Sequence, residues 1–170
     1  MRIAEPNEGT KPMKFSDFVH TKAIKPELES SDKESVIREL IGSLIACGKL
    51  QASDEDSLVQ AILKREELGS TGLGRGIAVP HTKHPSVTEP VGTIGISAEG
   101  IEFQSLDGED VQLFFLVISP PDRPTDHLRA LEKISKQLKD DTFCRFLKQS
   151  KTTDDVQQVL DEADNNQFVS

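Results

Sequence analysis

No apolar stretch in the chain approaches the roughly 20 residues that a membrane-crossing helix needs, and the N-terminus mixes Arg2, Glu5 and Glu8 where a secretory signal would run uninterrupted and apolar. These absences point to a cytoplasmic protein with no direct membrane insertion. Cysteine is scarce. Cys47 and Cys144 are too few for a disulfide framework and too far apart for a CxxC metal site, so both are expected as free thiols on helices. Cationic excess is missing too: 20 Lys and Arg stand against 29 Asp and Glu, for a formal charge of −9. That is the wrong sign for a surface that neutralises nucleic-acid phosphates, although an acidic protein can still hold a local cationic pocket.

A chain of 170 residues, 35% hydrophobic and 29% charged, is long enough for one full core and short for two. The expectation is a single domain over residues 14–164, with residues 1–13 (Pro6, Gly9 and Pro12, no apolar periodicity) as a flexible lead-in and 165–170 as a tail. Phe15, Phe18 and Val19 offer an apolar patch on which a first helical turn docks. From Ser31 to Gly48, Ser31 and Glu34 stand at capping-box spacing. Val36, Ile37, Leu40, Ile41, Leu44 and Ile45 form one stripe, which predicts a helix stopped by Gly48. A second helix is predicted to start at Ser53, with Asp56 three residues on, to bury Leu58, Val59, Ile62 and Leu63, and to end at Gly69.

The pattern then changes to strands. A short β run, Ile77-Ala78-Val79, is closed by Pro80, and alternation follows from Gly92 to Ser97. A further short strand is expected through Ile101 and Phe103, a turn at Asp107-Gly108, and a strand buried on both faces over the apolar run Val111 to Ser119. After Pro120-Pro121 come three helices, with Leu128, Leu131, Ile134 and Leu138 on one face, then Phe143, Phe146 and Leu147, then Val156, Val159, Leu160 and Ala163. Helices first, strands in the middle and helices last predict an α/β single-domain sandwich, with a small mixed central β-sheet flanked by helices rather than a regular βαβ array.

Four glycines fall within the eight residues Gly69 to Gly76. A Walker A loop fails because no Gly-Lys-Ser/Thr follows. The dinucleotide fingerprint fails because Gly72, Gly74 and Gly76 are spaced GxGxG and lie between a helix and a strand, the reverse of the order those loops need. Taken alone the cluster reads as a tight surface loop, but amides freed of Cβ crowding can also form an anion nest. His81 shifts that balance. It follows Pro80 and the glycines, has Ser70, Thr71 and Arg75 nearby as donors, and is of a residue type that forms covalent phosphoryl intermediates. His127, at the start of a helix, is either a second site residue or an ordinary polar N-terminal residue. His84, in the turn Thr82-Lys83-His84-Pro85, and His20 have weaker claims.

Residues Gly69 to His81, GSTGLGRGIAVPH, resemble the phosphorylation-site motif of enzyme IIA domains of the phosphoenolpyruvate-dependent sugar phosphotransferase system, in the fructose/mannitol/nitrogen-regulatory class. The resemblance runs from about Phe15 to Ala163 and includes Lys64-Arg65-Glu66-Glu67, Leu113-Phe114-Phe115-Leu116-Val117 and Asp126-His127-Leu128-Arg129-Ala130-Leu131. It implies that His81 accepts a phosphoryl group from HPr or a paralogue and passes it to a cysteine of a separate IIB domain. In the alternative, phosphorylation of His81 switches binding to regulatory targets. The resemblance makes His127 the neighbouring active-site histidine and Arg65 the nearby arginine, and it implies no metal and no cofactor. His127 would then stabilise or orient the phosphoryl group, Arg65 offset its charge, and Ser70, Thr71, Gly72, Gly74, Arg75 and Gly76 form a phosphoryl-binding loop. Thr82 and Lys83 depart from the family pattern by making the rim bulkier and more polar. A remote alternative is a metal hydrolase using His81, His84 and His127, against which no HExxH or HxxEH spacing is present.

Overall fold

The computed structural model describes residues 12–166. After 3-10 turns at Phe15–Asp17 and Thr21–Ala23, the chain forms helices α1 (Lys33–Ala46) and α2 (Glu55–Glu67). Five strands follow, β1 (Gly72–Gly74), β2 (Ile77–Ala78), β3 (His81–Lys83), β4 (Val91–Ile101) and β5 (Val111–Ser119), and then helices α3 (Pro124–Gln137), α4 (Asp141–Gln149) and α5 (Thr153–Asp164). Among the described residues no helix is long and apolar enough to cross a membrane.

Three of the other strands pair directly with β5: β4 antiparallel, and β2 and β3 parallel, with β1 hooked antiparallel onto β2. The sheet is therefore mixed, as expected. Ile77 lies opposite Leu113 and His81 opposite Val117, so β2 and β3 share one register and are two pieces of a single strand. The expectation that Pro80 ends this strand is corrected. Proline removes a ladder donor, but its carbonyl still accepts from the Val117 amide at 3.1 Å and pairing resumes at His81. The separate strand expected through Ile101 and Phe103 is corrected as well, because Ile101 pairs with Val111 as the end of β4, beyond a register shift after Ile96, and Phe103 lies outside it.

Alternation along β5 makes two cores. Leu113, Phe115 and Val117 pack on one face with Ile77, Val79, Ile94 and the apolar sides of α3, α4 and α5. Phe114, Leu116 and Ile118 pack on the other with α1 and α2. A strand covered on both faces has no polar side to display, which is why β5 reads as a continuous apolar run. The Phe15 turn docks as expected, its ring stacked on Phe143 at 5.7 Å.

Helix ends differ in detail. Asp32, not Ser31, caps α1, accepting from the Ser35 amide at 2.9 Å, and Gly48 follows with φ 82°. α2 starts at Glu55 rather than Ser53 because a 3-10 turn over Ala52–Asp54 precedes it. In α3 the buried positions include His127, Ala130 and Ile134, whereas Leu128 is 56% exposed. Phe146 in α4 is likewise exposed, unlike Phe143 and Leu147. Cys47 and Cys144 are free thiols, at the end of α1 and within α4. Residues 1–11 of the expected lead-in and 167–170 of the tail lie outside the described residues, and Met13 packs against the core.

Close packing across the β4–β5 pair is set by Gly92, where a Cβ would lie 2.9 Å from the Leu116 carbonyl oxygen and 3.1 Å from the Phe18 ring. Backbone cannot yield as a side-chain tip can. Gly92→Ala is expected to destabilise the fold by about 1–3 kcal/mol, read from urea unfolding, and an unchanged midpoint would refute this packing account.

Candidate active site

His81 opens β3, where pairing with β5 resumes after Pro80, and strand alternation gives it the same face as Ile77 and Val79, the side covered by α3. α3 begins with Pro124 in its first turn, and its fourth residue is His127. The two rings meet with centroids 5.6 Å apart and planes inclined by 50°. Position alone leaves His127 open between a site residue and a plain helix-terminal one, and the structure puts it beside His81.

Nδ1 of His81 lies 2.7 Å from the Val79 carbonyl. A carbonyl only accepts, so Nδ1 carries the proton and Nε2 keeps its lone pair. Burial moves the His81 pKa below the ordinary imidazole value, against the raising effect of the Val79 carbonyl, and the Arg65 charge adds to the lowering while Glu66 opposes it. His127 is 7% exposed, and burial, reinforced by the repulsion that protonated His81 would add and by the Lys83 charge, lowers its pKa to about 4. Both rings are neutral near pH 7. Nδ1 of His127 sits 2.6 Å from Oγ of the fully buried Ser119.

These lowered values make stability pH-dependent. The unfolded chain takes up a proton at His127 near the ordinary value of about 6.5, whereas the folded chain resists until about pH 4. The stabilisation is therefore fully present above about 6.5 and is lost progressively down to about 4. Urea midpoints are expected to fall over that window, and His127→Gln should flatten the slope. An equal slope in both proteins would show that His127 is not held neutral.

Arg65, in the last turn of α2, donates from Nη1 to the Gly69 carbonyl at 2.9 Å. Its charge acts on His81, and its remaining N–H groups have no partner among the described residues. Glu66 is buried, forms an ion pair with Lys33 at 2.9 Å, and accepts from the Thr71 amide at 3.2 Å and from the Thr71 hydroxyl. It holds the turn between α2 and β1 in place. Lys83 is exposed at the rim, and Thr82 is half-buried.

The glycine segment has a different task from the one expected of it. Gly72 pairs with Ala78 and Gly74 with Ile77. Arg75 and Gly76, at φ 59° and 76°, supply the two positive-φ positions that a tight type I′ hairpin turn needs. The turn lies about 16 Å along the strand from His81, at roughly 3.3 Å per residue. The Arg75 guanidinium points to Asp141 and the Leu138 carbonyl, while its amide donates to Asp107. Ser70 Oγ donates to the Phe103 carbonyl and accepts from the Gly72 amide. The structure thus gathers His81, His127 and Arg65, and leaves Gly72, Gly74, Arg75 and Gly76 away from them, with Ser70 and Thr71 engaged in holding the approach to β1.

His84 uses both ring nitrogens, one accepting from the Ser86 amide at 3.1 Å and the other 2.8 Å from Ser57 Oγ. Among the described residues no group of three or more His, Cys, Asp or Glu side chains is placed to hold a metal ion. Two site residues escaped sequence reading: Ser119, whose signal is its strand parity with Val117, and Glu66, which sits in a charged run resembling a solvated helix face.

The family model for the phosphoenolpyruvate-dependent sugar phosphotransferase system, EIIA 2, matches residues 17–163. The chain is 34% identical over 152 residues to the fructose-specific EIIABC component of Bacillus subtilis, covering 89% of this chain and 24% of that longer protein. It is 32% identical over 148 residues to a nitrogen regulatory protein of Bradyrhizobium diazoefficiens, covering 87% and 95%. Among solved structures, nitrogen regulatory protein IIA-Ntr from Neisseria meningitidis matches with TM-score 0.77 and 25% identity, over 86% of this chain and 98% of that one. The chain therefore belongs to the EIIA 2 family of the phosphoenolpyruvate-dependent sugar phosphotransferase system.

Proposed function

We propose that this phosphotransferase-system protein accepts a phosphoryl group on Nε2 of His81 from HPr or a paralogous phosphocarrier in the cytoplasm, and passes it to a cysteine of a separate IIB protein during sugar uptake. The observation that carries the assignment is the 2.7 Å contact of Nδ1 with the Val79 carbonyl, which leaves Nε2 unprotonated on a neutral, partly desolvated ring. A lone pair ready at neutral pH needs no general base. In the forward step Nε2 forms a bond to phosphorus as the donor's P–N bond breaks, and that electron pair stays on the donor nitrogen. No proton crosses between the partners. The ring gains positive character, which the Val79 carbonyl accommodates through Nδ1–H, and the dianionic phosphoryl group meets His127 and the unoccupied donors of Arg65.

A regulatory reading uses the same site. It is favoured by the nitrogen regulatory relatives, which this chain matches over nearly their whole length, and it makes phosphorylated His81 a switch for binding another protein. One experiment tests the shared chemistry and separates the two. Labelled phosphoenolpyruvate, with the phosphotransferase enzyme I and HPr, should place acid-labile, base-stable label on the protein. A purified fructose-type IIB domain is then added. Label moving to IIB cysteine supports transport. Label staying in place, with a protein partner captured by one phosphorylation state alone, supports regulation, and no label in the first step refutes both.

A further inference from the structure

We propose that Ser119 is a positioning residue for phosphoryl transfer: its hydroxyl donates to Nδ1 of His127 and thereby keeps the His127 ring proton on Nε2, the nitrogen that donates to phosphoryl oxygens carried by His81. The proposal rests on the phosphocarrier reading of His81. Ser119 closes β5 opposite Lys83, and its carbonyl accepts from the His84 amide at 2.8 Å, so its backbone is held on both counts. Alternation along β5 gives its side chain the α3 face, where Oγ meets Nδ1 of His127 at 2.6 Å.

The direction of this hydrogen bond follows from what else the hydroxyl can reach. Ser119 is 0% exposed, and among the described residues Oγ has no partner other than His127. Were Nδ1 the donor, the hydroxyl proton would be buried without an acceptor, which folded proteins avoid. With the hydroxyl donating, both groups are satisfied and the neutral ring must carry its proton on Nε2. That nitrogen has no partner among the described residues.

The two histidines therefore present opposite faces of the same chemistry. Val79 sets His81 with a bare Nε2 that attacks phosphorus, and Ser119 sets His127 with a protonated Nε2 that donates to the oxygens. Reversing the His127 tautomer would turn a lone pair toward an anionic group and replace attraction with repulsion. No proton changes hands at Ser119 or His127 during transfer.

The test reads the tautomer directly. In 15N-resolved imidazole spectra of the wild-type protein at pH 7, His127 is expected to show an unprotonated Nδ1 and a protonated Nε2. The reverse assignment, or averaging of the two, overturns the proposal with no variant needed. Ser119→Ala should give a tautomer mixture at His127 and slow transfer from phosphorylated HPr by about tenfold, less than deletion of a whole donor, with His81 still labelled. Ser119→Thr, which keeps the hydroxyl, should restore both readouts. An unchanged tautomer and rate in Ser119→Ala would overturn the role. If wild-type protein takes no label from HPr, the carrier reading fails by itself, while the tautomer spectrum still decides the part played by Ser119.

Discussion

Replacing His81 by alanine is expected to reduce phosphoryl acceptance to background. A carrier needs a nucleophilic atom with an available lone pair, and among the described residues no other imidazole stands in the same arrangement. His84 has both nitrogens engaged with Ser57 and Ser86. His20 lies at the far side of the sheet, its amide bonded to the Gly92 carbonyl on the outer edge of β4. His127 is close but has Nδ1 committed to Ser119. Because His81 is the first residue of β3, next to the break at Pro80, and is only half-buried, alanine should leave the fold intact, which far-UV circular dichroism and an unchanged urea midpoint would document. Label retained by a folded His81→Ala protein would show that the phosphoryl group resides elsewhere.

The second large effect is expected at His127. Loss of a single preorganised donor to developing negative charge slows transfer by about 10²-fold or more. His127→Ala should show that order of loss in single-turnover transfer from phosphorylated HPr, while the label that does appear remains on His81. A rate within twofold of wild type would remove His127 from the chemistry. The ring also fills a buried place in α3, so His127→Gln, which retains bulk and an amide donor, is the companion variant and should recover part of the rate.

The sandwich was legible because helix stripes and the apolar run of β5 are local patterns with known periods, and His81 was legible because its motif is contiguous. Elements that depend on a partner were not. Apolar counting places Leu128 inside α3, yet the buried position beside it belongs to His127, a polar residue that such counting passes over. Pro80 looks like a strand end until the register with Leu113 and Val117 shows one strand on either side of it. The glycines read alone as a tight surface loop and beside His81 as an anion nest, and only the pairing of Gly74 with Ile77 makes Arg75 and Gly76 a hairpin turn. Ser119 and Glu66 were hidden for a shared reason. Each acts through a group on another element, His127 on α3 for one and Lys33 on α1 with Thr71 before β1 for the other, so the periodicity of its own strand or helix does not mark it.

The central claim is that Nε2 of His81 carries the phosphoryl group while Nδ1 stays protonated against Val79. Protein labelled with 15N-histidine, phosphorylated through HPr and observed by 15N–31P NMR, tests it most directly. The expected result is phosphorus coupled to Nε2 of His81, with a proton retained on Nδ1. Phosphorus on Nδ1 of His81, or on any other residue, would contradict it.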